Sequence, residues 1–163
     1  MMRLLLACIA FYMALAATPA DALVCGIFGC SCNVSATTLD FEQINPLGGA
    51  QTAEGEVSVD CTGLAELFPS ILVRMEAGQY GTIAARRMRS ASGQYLDYNI
   101  YTTNQYVTVW GNGTTGGQPV NVSGGLLALG HWTVSRAFHG VVSPTTATQP
   151  GVYTDTVVVR IDW

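Results

Sequence analysis

The chain has 163 residues, enough for one domain with a real core, and only 11% of them are charged. Lysine is absent, all seven basic residues are arginine, and the formal net charge is −4, which argues against a nucleic-acid partner. Abundant glycine (18 residues), threonine, serine, valine and tyrosine point to an all-β protein.

The N-terminus reads as a targeting segment. Arg3 precedes a nearly unbroken apolar run from Leu4 to Ala17, and Ala20-Asp21-Ala22 fits a small-x-small cleavage site. Residues 1–22 are therefore expected to be a signal peptide and residues 23–163 the exported domain. No later stretch has the length of a membrane span. Export into an oxidising compartment sets the reading of the cysteines. Cys8 leaves with the signal, and Cys25, Cys30, Cys32 and Cys61 remain. Four cysteines allow three pairings. Cys61 closes Val57-x-Val59-x-Cys61 and Cys32 opens Cys32-x-Val34-x-Ala36 in the same inward phase, which favours Cys32–Cys61, with Cys25–Cys30 closing a local loop. A four-cysteine zinc site is disfavoured, because two CxxC knuckles are lacking.

Downstream, Asn33 to Phe41 is expected to be a strand that shifts phase near Thr37-Thr38 through a bulge or kink. Glu54–Thr62 and Ser70–Glu76 follow, with Val57, Val59 and Cys61, then Ile71, Val73 and Met75, inward. Ala84–Arg89 and Gln94–Thr102 form a hairpin around Ser90-Ala91-Ser92-Gly93, and the run Arg86-Arg87-Met88-Arg89 reads as an exposed edge or turn flank. Tyr106–Trp110 is a further short strand, followed by the glycine-rich turn Gly111–Gly117. Pro119–Val122, Leu126–Leu129 and Thr133–Val142 come next, Gly124–Leu129 being compatible with one helical turn. The last run, Pro150 to Trp163, reads as one strand. Val157, Val159, Ile161 and Trp163 share a face, and Asp155 between two threonines is suited to hydrogen bonding where the strand starts. Roughly seven to nine short strands without a convincing helix make a β-sandwich or barrel.

No nucleophile elbow, HExxH motif or phosphate-cradling loop occurs. His131 and His139 lack a third ligand at useful spacing, and Glu54 and Glu56 lie two apart on one solvated strand face. No catalysis, metal or cofactor is expected. A second reading is a self-contained carbohydrate- or surface-binding module with an aromatic platform of Tyr80, Tyr95, Tyr101, Tyr106, Trp110 and Trp132.

Three stretches in order carry a resemblance. They are Cys32-Asn33-Val34-Ser35-Ala36 with Leu39-Asp40-Phe41 and Val57-Ser58-Val59-Asp60-Cys61-Thr62; Arg87-Met88 with Leu96-Asp97-Tyr98-Asn99-Ile100-Tyr101 and Trp110-Gly111; and Gly151-Val152-Tyr153-Thr154-Asp155-Thr156-Val157. Together they resemble spore coat protein U domains, which include subunits of archaic, Csu-type chaperone–usher pili. The resemblance implies an immunoglobulin-like β-sandwich that is incomplete and lacks its last strand. It also implies a periplasmic chaperone and an outer-membrane usher as partners, and donor-strand exchange with neighbouring subunits. The route would run through the periplasm to the cell surface. On this reading Val157, Val159, Ile161 and Trp163 form the acceptor edge. Only Leu23–Ser31 precede Cys32, short for a donor strand, so the subunit is expected to accept a strand without donating one, as a tip or minor subunit would. Glu42 stands where the family usually has glycine after Phe41.

Overall fold

The computed structural model describes residues 31–63, 70–124 and 130–162. The expected signal peptide, Cys25, Cys30, the Leu126–Leu129 piece and Trp163 lie outside the described residues. The described residues form ten strands: β1 (Ser31–Ala36), β2 (Gln51–Gly63), β3 (Ser70–Met75), β4 (Tyr80–Thr82), β5 (Ala85–Ser90), β6 (Tyr95–Tyr101), β7 (Val120–Ser123), β8 (Gly130–Val142), β9 (Tyr153–Thr154) and β10 (Val159–Asp162). They make two facing antiparallel sheets. The larger has the order β1-β2-β8-β6-β5-β4, with β9 also paired to β5, and the smaller has the order β10-β3-β7. The fold is an all-β, immunoglobulin-like sandwich.

Period-two alternation builds the core. From the larger sheet come Val57, Val59, Cys61, Leu96, Tyr98, Ile100, Phe138 and Val142, and from the smaller Ile71, Val73, Met75 and Val122, all under 9% exposed. The β5–β6 hairpin closes as expected, with Gly93 at φ 85° donating its N–H to the Ser90 carbonyl and Ser90 N–H to the Gln94 carbonyl.

Four sequence expectations are corrected. First, the opening strand does not run to Phe41. It ends at Ala36, where the Thr37 hydroxyl takes the Glu56 N–H (2.8 Å) that the ladder would otherwise use. The chain kinks there, and Leu39 and Phe41 drop over Gly140, where a Cβ would overlap both. Second, Tyr106–Trp110 is no strand. Two isolated bridges hold it, Tyr101–Val109 and Trp110–Gln118, because Tyr106 turns at φ 55°. Third, Arg86 is not exposed but fully buried. Fourth, Pro150–Trp163 is two strands in two sheets: β9 pairs β5, the chain crosses between the layers, and β10 pairs β3.

Candidate functional site

The site is a groove along one side of the sandwich, where the edge strand of each sheet comes close to the other. On one side lies β10. Its register with β3 pairs Val159 with Met75, Arg160 with Arg74, Ile161 with Val73 and Asp162 with Leu72. The Glu76 N–H donates to the Val158 carbonyl (3.0 Å), which sets the alternation of the antiparallel ladder. Residues 158, 160 and 162 then aim their main-chain groups at β3. Residues 157, 159 and 161 aim theirs away from it, along an edge that no described strand pairs. On the other side lies β1, whose one partner among the described strands is β2, and the Thr37–Phe41 segment that continues it.

Between these walls is a cavity of about 530 Å³, with Met75, Met88, Tyr98, Ile100 and Phe138 at its base and Val157 and Val159 along its rim. A second cavity, of about 680 Å³, shares Leu39, Phe41, Met88 and Tyr153 with the first and continues it between the Glu42–Pro46 loop and residues 148–151. Burial follows the same geography. The inward side chains of β3 and β2 are closed off: Val73 and Met75 are each 1% exposed, Val57 2% and Val59 1%. Those of the flanking strands, Val159 and Ile161 on β10 and Cys32 and Val34 on β1, stay half-buried although they pack against the same core. The core is therefore complete at the centre of each sheet and open along this side.

Cys32 and Cys61 face each other across the β1–β2 ladder and form a disulfide, with S–S 2.07 Å and Cα–Cα 4.1 Å. It ties the groove's β1 wall to the long β2–β8 ladder. Val157 precedes β10 but shares the phase of Val159 and Ile161. Asp155 stands at the crossover. Its carboxylate accepts from the Tyr98 hydroxyl (2.7 Å), the Gln79 N–H (2.8 Å) and the Thr156 N–H (2.8 Å). Burial, reinforced by the bond to Asp155, raises the Tyr98 hydroxyl pKa well above the usual tyrosine value, so the group stays a protonated donor.

Between the sheets, at the end of β3, lies a group that sequence reading placed on the surface. Arg86 Nε and Nη2 donate to the Glu76 carbonyl (3.0 and 2.8 Å), Nη2 to the Trp110 carbonyl (2.9 Å) and Nη1 to Asn99 Oδ1 (2.7 Å). Desolvation lowers its pKa from the ordinary arginine value, opposed by the nearby Tyr98, Asp155 and Glu76. The guanidinium closes the end of β3 from the opposite sheet. The signal was present: Arg86 shares the inward phase of Met88 and Ser90, while Arg87 and Arg89 point out.

The expected aromatic platform does not form. Trp110 is 0% exposed and its Nε1 donates to the Val73 carbonyl (3.0 Å). Tyr80 and Tyr95 pair edge-to-face beside Arg89, whereas Tyr101 and Tyr106 form a separate pair against His139. Trp132 is half-buried against the core. The histidines are each held by a carboxylate, His131 Nε2 with Asp60 (2.7 Å) and His139 Nδ1 with Glu54 (3.0 Å). Among the described residues no three His, Cys, Asp or Glu side chains converge as metal ligands would.

Among solved structures the chain is similar to the CsuC–CsuE chaperone–tip adhesion subunit pre-assembly complex from archaic chaperone–usher Csu pili of Acinetobacter baumannii. The TM-score is 0.53 at 17% identity, covering 82% of this chain and 40% of that one. A chaperone–tip adhesin complex of CFA/I fimbriae biogenesis matches with TM-score 0.45 at 14% identity, over 79% of this chain and 42% of that one. The chain thus spans less than half the length of either solved chain, and the likeness is one of fold. No curated protein matches. The family model of the Spore Coat Protein U domain matches residues 25–160, from ahead of β1 into β10, and the chain belongs to that family.

Proposed function

We propose that this chain is a non-catalytic structural subunit of a surface pilus, carried into the periplasm by a signal peptide at residues 1–22 and assembled by β-strand complementation. An extended segment of a periplasmic chaperone lies in the groove first. A neighbouring subunit's strand replaces it at an outer-membrane usher, and the assembled chain ends at the cell surface. One observation carries the reading: β10 turns the main-chain groups of residues 157, 159 and 161 to an edge that no described strand pairs, while its inward side chains are only half-buried over an apolar base. An added strand satisfies those groups and finishes the burial. For Val157, Val159 and Ile161 together, completing burial contributes about 3 kcal/mol, taking half of the roughly 2 kcal/mol of a fully buried aliphatic side chain for each. Main-chain hydrogen bonds supply the rest of the affinity, and covering the edge removes a template for aggregation. Family membership and the similarity of fold to a chain from a chaperone–subunit complex support the same reading.

The test is co-expression with a Csu-type periplasmic chaperone. Alone, the purified chain self-associates; with the chaperone it is recovered as a soluble complex. In that complex the amides of residues 157, 159 and 161 become protected from hydrogen exchange. A stable monomer in which those amides are already protected, and which the chaperone leaves unchanged, refutes the proposal.

A further inference from the structure

A strand with one neighbour and half-buried side chains is weakly held in register, and a slip of one residue turns Val159 and Ile161 to solvent. β10 has that weakness, and it follows a crossover that takes the chain from one sheet to the other between Thr154 and Val159. Two ion pairs hold it, Arg74–Asp162 at its far end and Arg160–Glu76 (3.6 Å) nearer its start. The acidic partner of the first is 55% exposed and the basic partner of the second 66%, so each contributes little. The crossover that leads into β10 is different. Asp155 receives a donor from each of three places: Tyr98 on β6 in the larger sheet, Gln79 in the turn leaving β3, and Thr156 on its own segment. The carboxylate rests on Gly78, whose φ is 90° and where a Cβ would overlap Asp155 Oδ2. The turn has no side chain at the point where the carboxylate needs the room.

We propose that Asp155 is a positioning residue for the strand-accepting groove: its carboxylate fixes the point where the chain changes sheets and thereby sets the phase of β10, so that the open edge is in place before a partner strand arrives. The inference rests on the strand-accepting reading given above. Asp155 acts through β10 and need not touch the incoming strand. Its isostere asparagine keeps an oxygen for the Gln79 and Thr156 amides and an amide group beside the Tyr98 hydroxyl, which can reverse its role to accept. Alanine removes all three bonds, and Gly78→Ala displaces the carboxylate without deleting it.

The experiment compares wild type, Asp155→Ala, Asp155→Asn and Gly78→Ala by hydrogen exchange and by capture with a co-expressed Csu-type chaperone. The amides of Arg160 and Asp162, which face β3, are expected to exchange about tenfold faster or more in Asp155→Ala and Gly78→Ala, the scale of losing one net hydrogen bond to a charged acceptor. The Val57 and Val59 amides on β2 stay at their wild-type rates. Chaperone capture falls in the same two variants, and Asp155→Asn keeps most of both properties. The inference is overturned if Asp155→Ala accelerates all these amides alike, which is general destabilisation, or if it is captured as well as wild type. If wild type itself is not captured, the strand-accepting reading fails. The exchange rates then judge the anchoring of β10 alone: selective loss at Arg160 and Asp162 sustains it, and its absence removes it.

Discussion

Replacing Arg86 by methionine tests whether the buried guanidinium at the end of β3 holds the two sheets together. Methionine fills much of the same volume and retains the stem, so the change isolates the guanidinium. Its loss strands the carbonyls of Glu76 and Trp110, both of which receive Arg86 hydrogen bonds of 3.0 Å or less. Asn99 Oδ1 keeps the Ile100 N–H at 2.9 Å and is not orphaned. The buried Trp110 acceptor and the part-buried Glu76 acceptor, at about 1–3 kcal/mol for a fully buried group and less for the second, give a loss of about 2–5 kcal/mol. The relief of burying a charge offsets part of this, because that charge is desolvated in the folded chain. A net loss of about 3 kcal/mol is a large share of the roughly 5–15 kcal/mol that holds a domain of this size together. The assay is urea unfolding at submicromolar concentration, where association through the open edge is slow, followed by the fluorescence of the three tryptophans, of which Trp110 is buried. The control is Arg87→Met, which removes an exposed ion pair with Asp97 (2.9 Å) and is expected to cost less than about 1 kcal/mol. Equal effects of the two substitutions refute the bridging role of Arg86.

Three further outcomes follow from particular residues. Reducing the Cys32–Cys61 bridge, or replacing both cysteines by serine, lowers stability by about 3–4 kcal/mol in the chain-entropy model for a sequence separation of 29, measured as a shift in urea midpoint; an unchanged midpoint contradicts it. Glu42→Gly stabilises by about 0.5–1 kcal/mol, because Glu42 sits at φ 54°, where a side chain costs about 1–2 kcal/mol and glycine returns part of that as unfolded-state entropy; a lower midpoint contradicts it. The Asp60 carboxyl is held below its ordinary value of 3.8 by the Thr133 hydroxyl and then by His131. A depressed folded pKa stabilises above the unfolded value, so this contribution is present above pH 3.8 and is lost as pH falls through the lowered one. Asp60→Asn should flatten that part of the acid limb in a pH series of unfolding midpoints, and an identical limb in both proteins contradicts the assignment.

Much of the sandwich was legible because alternation is a local signal. The inward sets of β2, β3 and β6 can be read from the chain, and the shared phase of Cys32 and Cys61 is what places them opposite each other in the ladder. What could not be read depends on partners remote in sequence. Trp110 has the look of a surface aromatic beside a glycine-rich turn, yet its indole finds the Val73 carbonyl 37 residues away and is buried. Arg86 has the inward phase, but a charged residue at a core position is ordinarily counted against the phase. Only the carbonyls of Glu76 and Trp110, brought there by the second sheet, make the position tenable.

The end of the chain shows the difference most clearly. Val157 to Asp162 alternates without interruption from Tyr153 onward, so nothing in the pattern marks a change of sheet: Tyr153, Asp155, Val157, Val159 and Ile161 are the half-buried set throughout. Alternation records which side of a strand faces the core and is indifferent to which layer the strand belongs to. A chain that crosses from one layer to the other in a few residues without losing phase keeps a single apolar stripe in view of the groove along its whole length. Tyr153 lines both cavities, Val157 and Val159 the one between the walls, and the three-way bonded Asp155 sits between them. The break between β9 and β10 that the sequence conceals is therefore what lets one segment border the groove from both sheets.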